Sequence, residues 1–198
     1  MPKVPVAAEI GADHGMISAY LVAHSLCEKI IVSDISAASL EKAKRLFALR
    51  GLADRAIFHV SDGLDAIDQS VGAIVIAGMG ADTVQHILEK GLDHIGDASL
   101  ILQVNSNVHK LRCWLSEHGF HIEAERLVRE DRRSYVIVRA KRGTVEYSGK
   151  QLLLGPCFLE ERPPLRPEYL AWRKACMHQG GRLDVRQDVE WSAEEVKK

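Results

Sequence analysis

At 198 residues the chain is long enough for one well-buried core and too short for two ordinary domains joined by a linker. Its 26 Lys and Arg stand against 27 Asp and Glu, a net charge of −1, so the whole-molecule field excludes a protein that attracts polyanions by bulk charge, and any nucleic-acid surface has to be a local patch. Cys27, Cys113, Cys157 and Cys176 make no Cys-x-x-Cys pair, which argues against a zinc knuckle or a redox dithiol, and no apolar run approaches the length of a membrane span.

Met1 to Ile10 carries one Lys and a short apolar run that leads into a strand pattern, not a signal-peptide h-region, and the expectation is cytoplasmic residence without disulfides. From there to about Ser134 short apolar runs alternate with helical periodicity. The expected strands are Val4 to Ile10, Lys29 to Ile35, Ala56 to Val60, Ala73 to Ala77 and Leu100 to Gln103, too continuously apolar for a sheet with one wet face. The helices between them are Met16 to Ser25, Ala37 to Arg50, Asp82 to Lys90 and Val108 to His118, with Ser36 and Ser106 as N-caps. This βαβα order predicts an α/β fold with a mainly parallel sheet covered on both faces. Phe120 to Glu125 and Ser134 to Ala140 are then two strands joined by the charged stretch Arg126 to Arg133, too close for a crossover helix, and they should pair as an antiparallel hairpin. A parallel sheet closed by such a hairpin is the Rossmann-like arrangement of class I methyltransferases, whereas a dinucleotide dehydrogenase continues with a parallel strand. The domain is expected over 1–142. Residues 143–198 form a C-terminal extension, irregular around Gly155-Pro156 and Arg162 to Pro167, with one helix over Glu168 to His178 and a polar tail from Gly180.

The chemistry concentrates where the strands end. Gly11 and Gly15 flank the turn Glu9-Ile10-Gly11-Ala12-Asp13-His14-Gly15, where missing side chains let the backbone approach a ligand. A dinucleotide fingerprint would read G-x-G-x-x-G, but here Asp13 occupies the place of a pyrophosphate and would repel it. S-adenosylmethionine carries a sulfonium and an ammonium and no phosphate, so Glu9 and Asp13 suit it, although a strand-to-helix turn with a capping Asp would use the same residues. Asp34 ends the second strand, placed to accept from ribose hydroxyls, and Asp62 follows the third, placed for an adenine amino group. Ala77-Gly78-Met79-Gly80 makes a second glycine-lined turn, and the amides of Gln103 and Asn105 suit the edge of a base, with capping of the next helix as the plainer alternative. His14 sits at the cofactor mouth. The histidines His24, His86, His94, His109, His118 and His178 lack metal-ligand spacing, and no metal is expected. The hairpin and its flank hold Arg126, Arg129, Arg132, Arg133, Arg139, Lys141 and Arg142, either a phosphate-contact patch or an edge strand guarded by charge.

In this order and at these spacings the chain resembles the bacterial tRNA (adenine(22)-N1)-methyltransferase family. The residues that carry the resemblance are the Glu9 to Gly15 turn, Ser33-Asp34-Ile35, Ser61-Asp62-Gly63, Ala77-Gly78-Met79-Gly80, Gln103-Val104-Asn105 with Leu111-Arg112-Cys113-Trp114-Leu115, and Gly155-Pro156 with Glu160 to Pro163. The resemblance implies transfer of a methyl group from S-adenosylmethionine to N1 of an adenine in tRNA. It implies a cofactor set of Glu9, Gly11, Asp13, His14, Gly15, Asp34, Ile35, Asp62, Gly63, Gly78 and Met79, and Asp13, Gln103 and Asn105 as catalytic residues that orient the reacting groups. Gly80, Arg112, Arg129, Arg132 and Arg133 would face the RNA. The family pattern has Asp where Glu9 stands and Pro where Val104 stands, a helical segment before the first strand, and a helical C-terminal tRNA-gripping domain against which residues 143–198 are short. The competing readings are a methyltransferase for another RNA or a small molecule, a non-catalytic RNA- or protein-binding module on the same fold, and an NAD-dependent oxidoreductase.

Overall fold

The computed structural model describes residues 1–68, 70–131, 133–161 and 167–171. Its elements in chain order are β1 (Val4–Ile10), α1 (Met16–Ala23), β2 (Cys27–Asp34), α2 (Ala37–Leu49), β3 (Ala56–Val60), β4 (Ala73–Met79), α3 (Ala81–Lys90), α4 (Leu92–Ile95), β5 (Ser99–Val104), α5 (Val108–Glu117), β6 (Phe120–Glu130), β7 (Arg133–Arg142), α6 (Gly149–Leu154) and α7 (Pro156–Glu161). The seven strands form one sheet in the order β3-β2-β1-β4-β5-β7-β6. The first five are mutually parallel, and β7 runs antiparallel to both β5 and β6, so the Rossmann-like sheet with its closing hairpin stands as expected.

Alternation along the strands divides the core. Ala7, Ile30, Val32 and Val75 face α1 and α2, while Ile10, Ile31, Ile74 and Ile76 point the other way toward α3 and α5. That double burial is why the strands read as continuous apolar runs. Helix α2 shows the local rule: Ser36 Oγ accepts from Ser39 N at 3.2 Å as the N-cap, and Leu40, Ala43 and Phe47 form its buried stripe. At α5 the expected cap differs. Asn107, in the left-handed region at φ 57, occupies the N-cap position and Ser106 does not.

The hairpin departs most from expectation. Arg126 to Arg133 is mostly strand, because β6 runs on to Glu130 and β7 begins at Arg133, paired through Arg129↔Ser134 and Glu130↔Arg133. An edge strand beyond the core wets its side chains, so charge does not end it. Residues 149–161 and 167–171 build no core of their own; Leu153, Leu154, Phe158 and Tyr169 join the cluster beneath β4, β5 and α5. The helix expected over Glu168 to His178 and the tail beyond Gly180 lie, apart from 168–171, outside the described residues. Among the described residues no helix is long and apolar enough to cross a membrane.

Candidate cofactor and substrate site

Strands β1 and β4 are neighbours whose chains leave in opposite directions, β1 toward β2 and β4 toward β5. At such a switch point the loops after the strands part, and open α/β sheets bind ligands in the crevice that results. A cavity of about 290 Å³ opens there, lined by Glu9, Gly11, Ala12, Asp13, His14, Met16, Ile17, Ala77, Gly78 and Gln103. Its lining has two carboxylates and no Lys or Arg. A roomier cavity of about 710 Å³ lies at the opposite edge among Pro5, Ser70, Asp93 and Asp97, where strands begin and α/β sheets seldom bind.

The first turn is fixed from both sides. Asp34 at the end of β2 accepts Asp13 N at 2.9 Å on one carboxylate oxygen and Ser36 N at 2.8 Å on the other. Asp13 is thereby held in the left-handed region at φ 45, and its own carboxylate turns outward to His14 Nδ1, which holds it below the usual aspartate range. Gly11 is favoured by its left-handed backbone at φ 70, and a Cβ there would also displace the tip of Met79, whose Cε would stand 1.9 Å away. Gly15 serves packing instead, since its Cβ would meet Ala43 Cβ on α2 at 2.7 Å.

Glu9 is 3 % exposed and receives Ser18 N at 2.9 Å, with Ser18 Oγ on the same oxygen. Helix α1 starts at Gly15 with no side-chain cap, so Glu9 caps its first turn from a neighbouring strand. Burial pushes its carboxyl up to about 7, against the lowering hydrogen bonds from Ser18, and Asp34 adds to the rise.

The second turn is a hydrogen-bonded ring. Gly78 N donates to Gln103 Oε1 at 2.8 Å, Gln103 Nε2 to Asn105 Oδ1 at 3.2 Å, and Asn105 Nδ2 to Gly78 O at 2.7 Å. Gln103 and Asn105 therefore do not cap α5; they hold the Gly78 backbone in place at φ 79. A Cβ at Gly78 or Gly80 would meet nothing within 4 Å, so these glycines leave open space for a flat ligand.

Other expected residues stand further off. Asp62, after β3, is ion-paired with Lys90 at 2.9 Å, which lowers its carboxyl, and Gly63 packs in ordinary contact with Ile87. Ile35 is 73 % exposed beside Asp34. Arg129 and Arg133 lie at the hairpin tip, and Arg132 lies outside the described residues. Arg112 is a correction. It is 0 % exposed, bonds Glu125 Oε1 at 2.7 Å and the carbonyls of Leu152 and Leu153, and offers nothing to RNA. Its place on α5 signals this, because Val108, Leu111, Arg112 and Leu115 follow the i, i+3, i+4, i+7 spacing of a buried stripe. Sequence reasoning missed Ser18, whose role needs the fold, and Met16 and Ile17, whose signal is two apolar residues opening a helix at the cavity mouth, 65 % and 40 % exposed.

An acidic cavity without Lys or Arg and with a backbone-lined wall favours a cationic, phosphate-free ligand. S-adenosylmethionine fits it and a pyrophosphate does not.

The sequence model of the tRNA (adenine(22)-N(1))-methyltransferase family matches residues 7–178. The tRNA (adenine(22)-N(1))-methyltransferase of Bacillus subtilis is 32% identical over 170 residues, covering 82% of this chain and 71% of that protein. The crystal structure of the B. subtilis m1A22 tRNA methyltransferase superposes with a TM-score of 0.80 at 27% identity, over 98% of this chain and 86% of that one. Streptococcus pneumoniae Sp1610, solved in complex with S-adenosyl-L-methionine, superposes with a TM-score of 0.83 at 28% identity, over 94% and 87% of the two chains.

Proposed function

The chain belongs to the tRNA (adenine(22)-N(1))-methyltransferase family, and from that membership we propose that it methylates N1 of adenine 22 in tRNA, in the cytoplasm where tRNA is modified. It is an S-adenosylmethionine-dependent tRNA (adenine-N1)-methyltransferase on a Rossmann-like fold. The observation that carries the reading is the cavity at the β1/β4 switch point, acidic, free of Lys and Arg, and walled by the Gly78 backbone.

When bound, S-adenosylmethionine supplies a methyl group on a sulfonium, and the residues that would hold it are Glu9, Gly11, Asp13, Asp34 and Gly78. Glu9 and Asp13 balance its positive charge, while Asp34 sets the turn by holding Asp13 N. Adenine N1 already has a lone pair, so no general base is needed and the cationic product loses no proton. Placement carries the rate. Gln103 and Asn105 fix the Gly78 backbone, and Gln103, which lines the cavity, keeps amide valences with which it could meet an adenine edge. N1 is on the Watson–Crick edge, so the adenosine has to be unpaired or extruded to reach it.

The test is incubation with tRNA and S-adenosylmethionine, followed by mapping of 1-methyladenosine by primer extension and mass spectrometry. A product at adenine 22, absent from tRNA with another base there, supports the reading; methylation elsewhere refutes the position, and no methylation refutes the substrate.

A further inference from the structure

The hairpin carries a second feature on the same side of the sheet as Gln103. Residues paired across antiparallel strands share a face, and side chains alternate along each strand. Gln103 pairs with Ile137, so Ile137, Tyr135 and Arg133 share its face, and Val128 joins through its pairing with Tyr135. Gln103 lines the cofactor cavity. Tyr135 lies two residues beyond Ile137 in the direction the cofactor edge faces, about 7 Å further out by strand rise. A row of side chains thus leaves the cavity and continues along the hairpin to its tip.

The two faces of this hairpin are unlike. Val136, Val138 and Ala140, on the other face, are 4, 0 and 0 % exposed in the core shared with α5 and α6. On the row's face Tyr135 and Ile137 are half-buried and Val128 is 45 % exposed, and none of the three joins either core cluster among the described residues. The arginines divide by distance from the tip instead, since Arg126 and Arg139 share the row's face with Arg133 while Arg129 is on the other. Arg126 is paired with Glu161, Arg139 with Glu123, and Arg142 lies over the Phe120 ring at 4.4 Å. Arg129 and Arg133 at the tip are in no ion pair among the described residues, although Glu130 and Asp131 share the tip with them.

We infer that this face is the track for the RNA strand beside the target adenosine, with Tyr135, flanked by Val128 and Ile137, as the platform on which a neighbouring base stacks, and Arg133 at the following phosphate. Two observations select a single-stranded nucleic acid as the occupant: the row is continuous with the cavity through the Gln103↔Ile137 pair, and it joins an aromatic ring to a cation with no ion pair at the spacing of one strand repeat. An extruded adenosine leaves its neighbours unstacked, and aromatic side chains recover that stacking without reading sequence. Tyr135 is a positioning residue in this scheme.

The inference rests on the tRNA reading, so the test separates them. Wild type, Tyr135→Ala, Tyr135→Phe and Arg133→Glu are compared for cofactor affinity by calorimetry and for kcat and KM on tRNA. Loss of stacking should raise the tRNA KM of Tyr135→Ala about tenfold, with cofactor affinity unchanged, and Tyr135→Phe should restore it. Arg133→Glu, which keeps the aromatic and guards against a misfolded alanine variant, should raise KM and flatten its salt dependence. Wild-type methylation with an unchanged KM in Tyr135→Ala and Arg133→Glu overturns the track and leaves the enzyme assignment standing. A wild type that methylates no tRNA overturns both. A dimer in wild type that Tyr135→Ala dissociates, with KM unchanged, gives the face to a second copy of the chain and overturns the track as well.

Discussion

At the cofactor half of the ligand-facing edge, Glu9, Asp13 and Asp34 gather around turns whose strands are backed by helices on both faces. At the hairpin half, Arg129 and Arg133 stand on strands packed on one face, among the described residues, and open on the other. The net charge of −1 averages over the whole chain and describes neither region. A small cation is retained by acids held in place by backbone hydrogen bonds, whereas a polyanion would be met by exposed side chains that solvent keeps adaptable. The enclosed half can be rigid because its ligand is small. The open half has to admit a macromolecule.

The largest way to break this contrast lies beneath the hairpin. Arg112→Ala leaves Glu125 buried without its partner and should lower stability by about 3–5 kcal/mol, read as a shifted urea midpoint. Replacing the pair together, Arg112→Met with Glu125→Leu, should recover part of that loss, since no charge is stranded although the Leu152 and Leu153 carbonyls and Cys157 N still lose their partners. Next comes Asp34→Ala, which frees Asp13 N and Ser36 N and removes an acid from the cofactor half. Cofactor affinity should fall about 100-fold, or about 2.7 kcal/mol at 1.36 kcal/mol per decade, with tRNA binding spared; equal losses of both would dissolve the division into halves.

Glu9 sharpens the comparison through pH. Its carboxyl sits near 7 in the fold against an ordinary 4.5, so the folded chain holds the proton more tightly than the unfolded chain does. Stability therefore falls as pH rises from 4.5 to about 7 and is level above that, a loss of at most roughly 3 kcal/mol. Urea titrations from pH 5 to 8 should show that slope in wild type and a flatter one in Glu9→Gln. A cation entering the cavity favours the carboxylate, so calorimetry near pH 7 in two buffers should register proton release on cofactor binding, and none in the variant. The smallest effect is expected from Arg129→Ala: a tRNA affinity lower by roughly twofold to fivefold, with a shallower salt slope.

The residue pattern made the cofactor half legible because its devices are local. Two glycines after a strand, an acid at the next strand's end and the Gln103-Val104-Asn105 run are all visible within a few residues of their elements. The hairpin half was legible as a hairpin but not in extent, since an exposed edge strand carries the same charged residues as a loop. The buried ion pair shows the limit more sharply. Arg112 occupies a core position on its helix, yet its partner Glu125 faces inward only because the register shifts between Ile122 and Ala124, and nothing local announces that irregularity. Ser18 and Glu9, nine residues apart, meet for a similar reason: the turn folds one onto the other.

The carbonyls of Leu152 and Leu153, near the end of α6, are bonded by a guanidinium that arrives from α5, forty residues earlier in the chain. A helix finished off by a distant side chain cannot loosen by fraying alone, because its last turn lets go only when a charge is also uncovered. Amide exchange in α6 should therefore track the centre of the sheet, whereas the exposed segment before Ser148 exchanges freely.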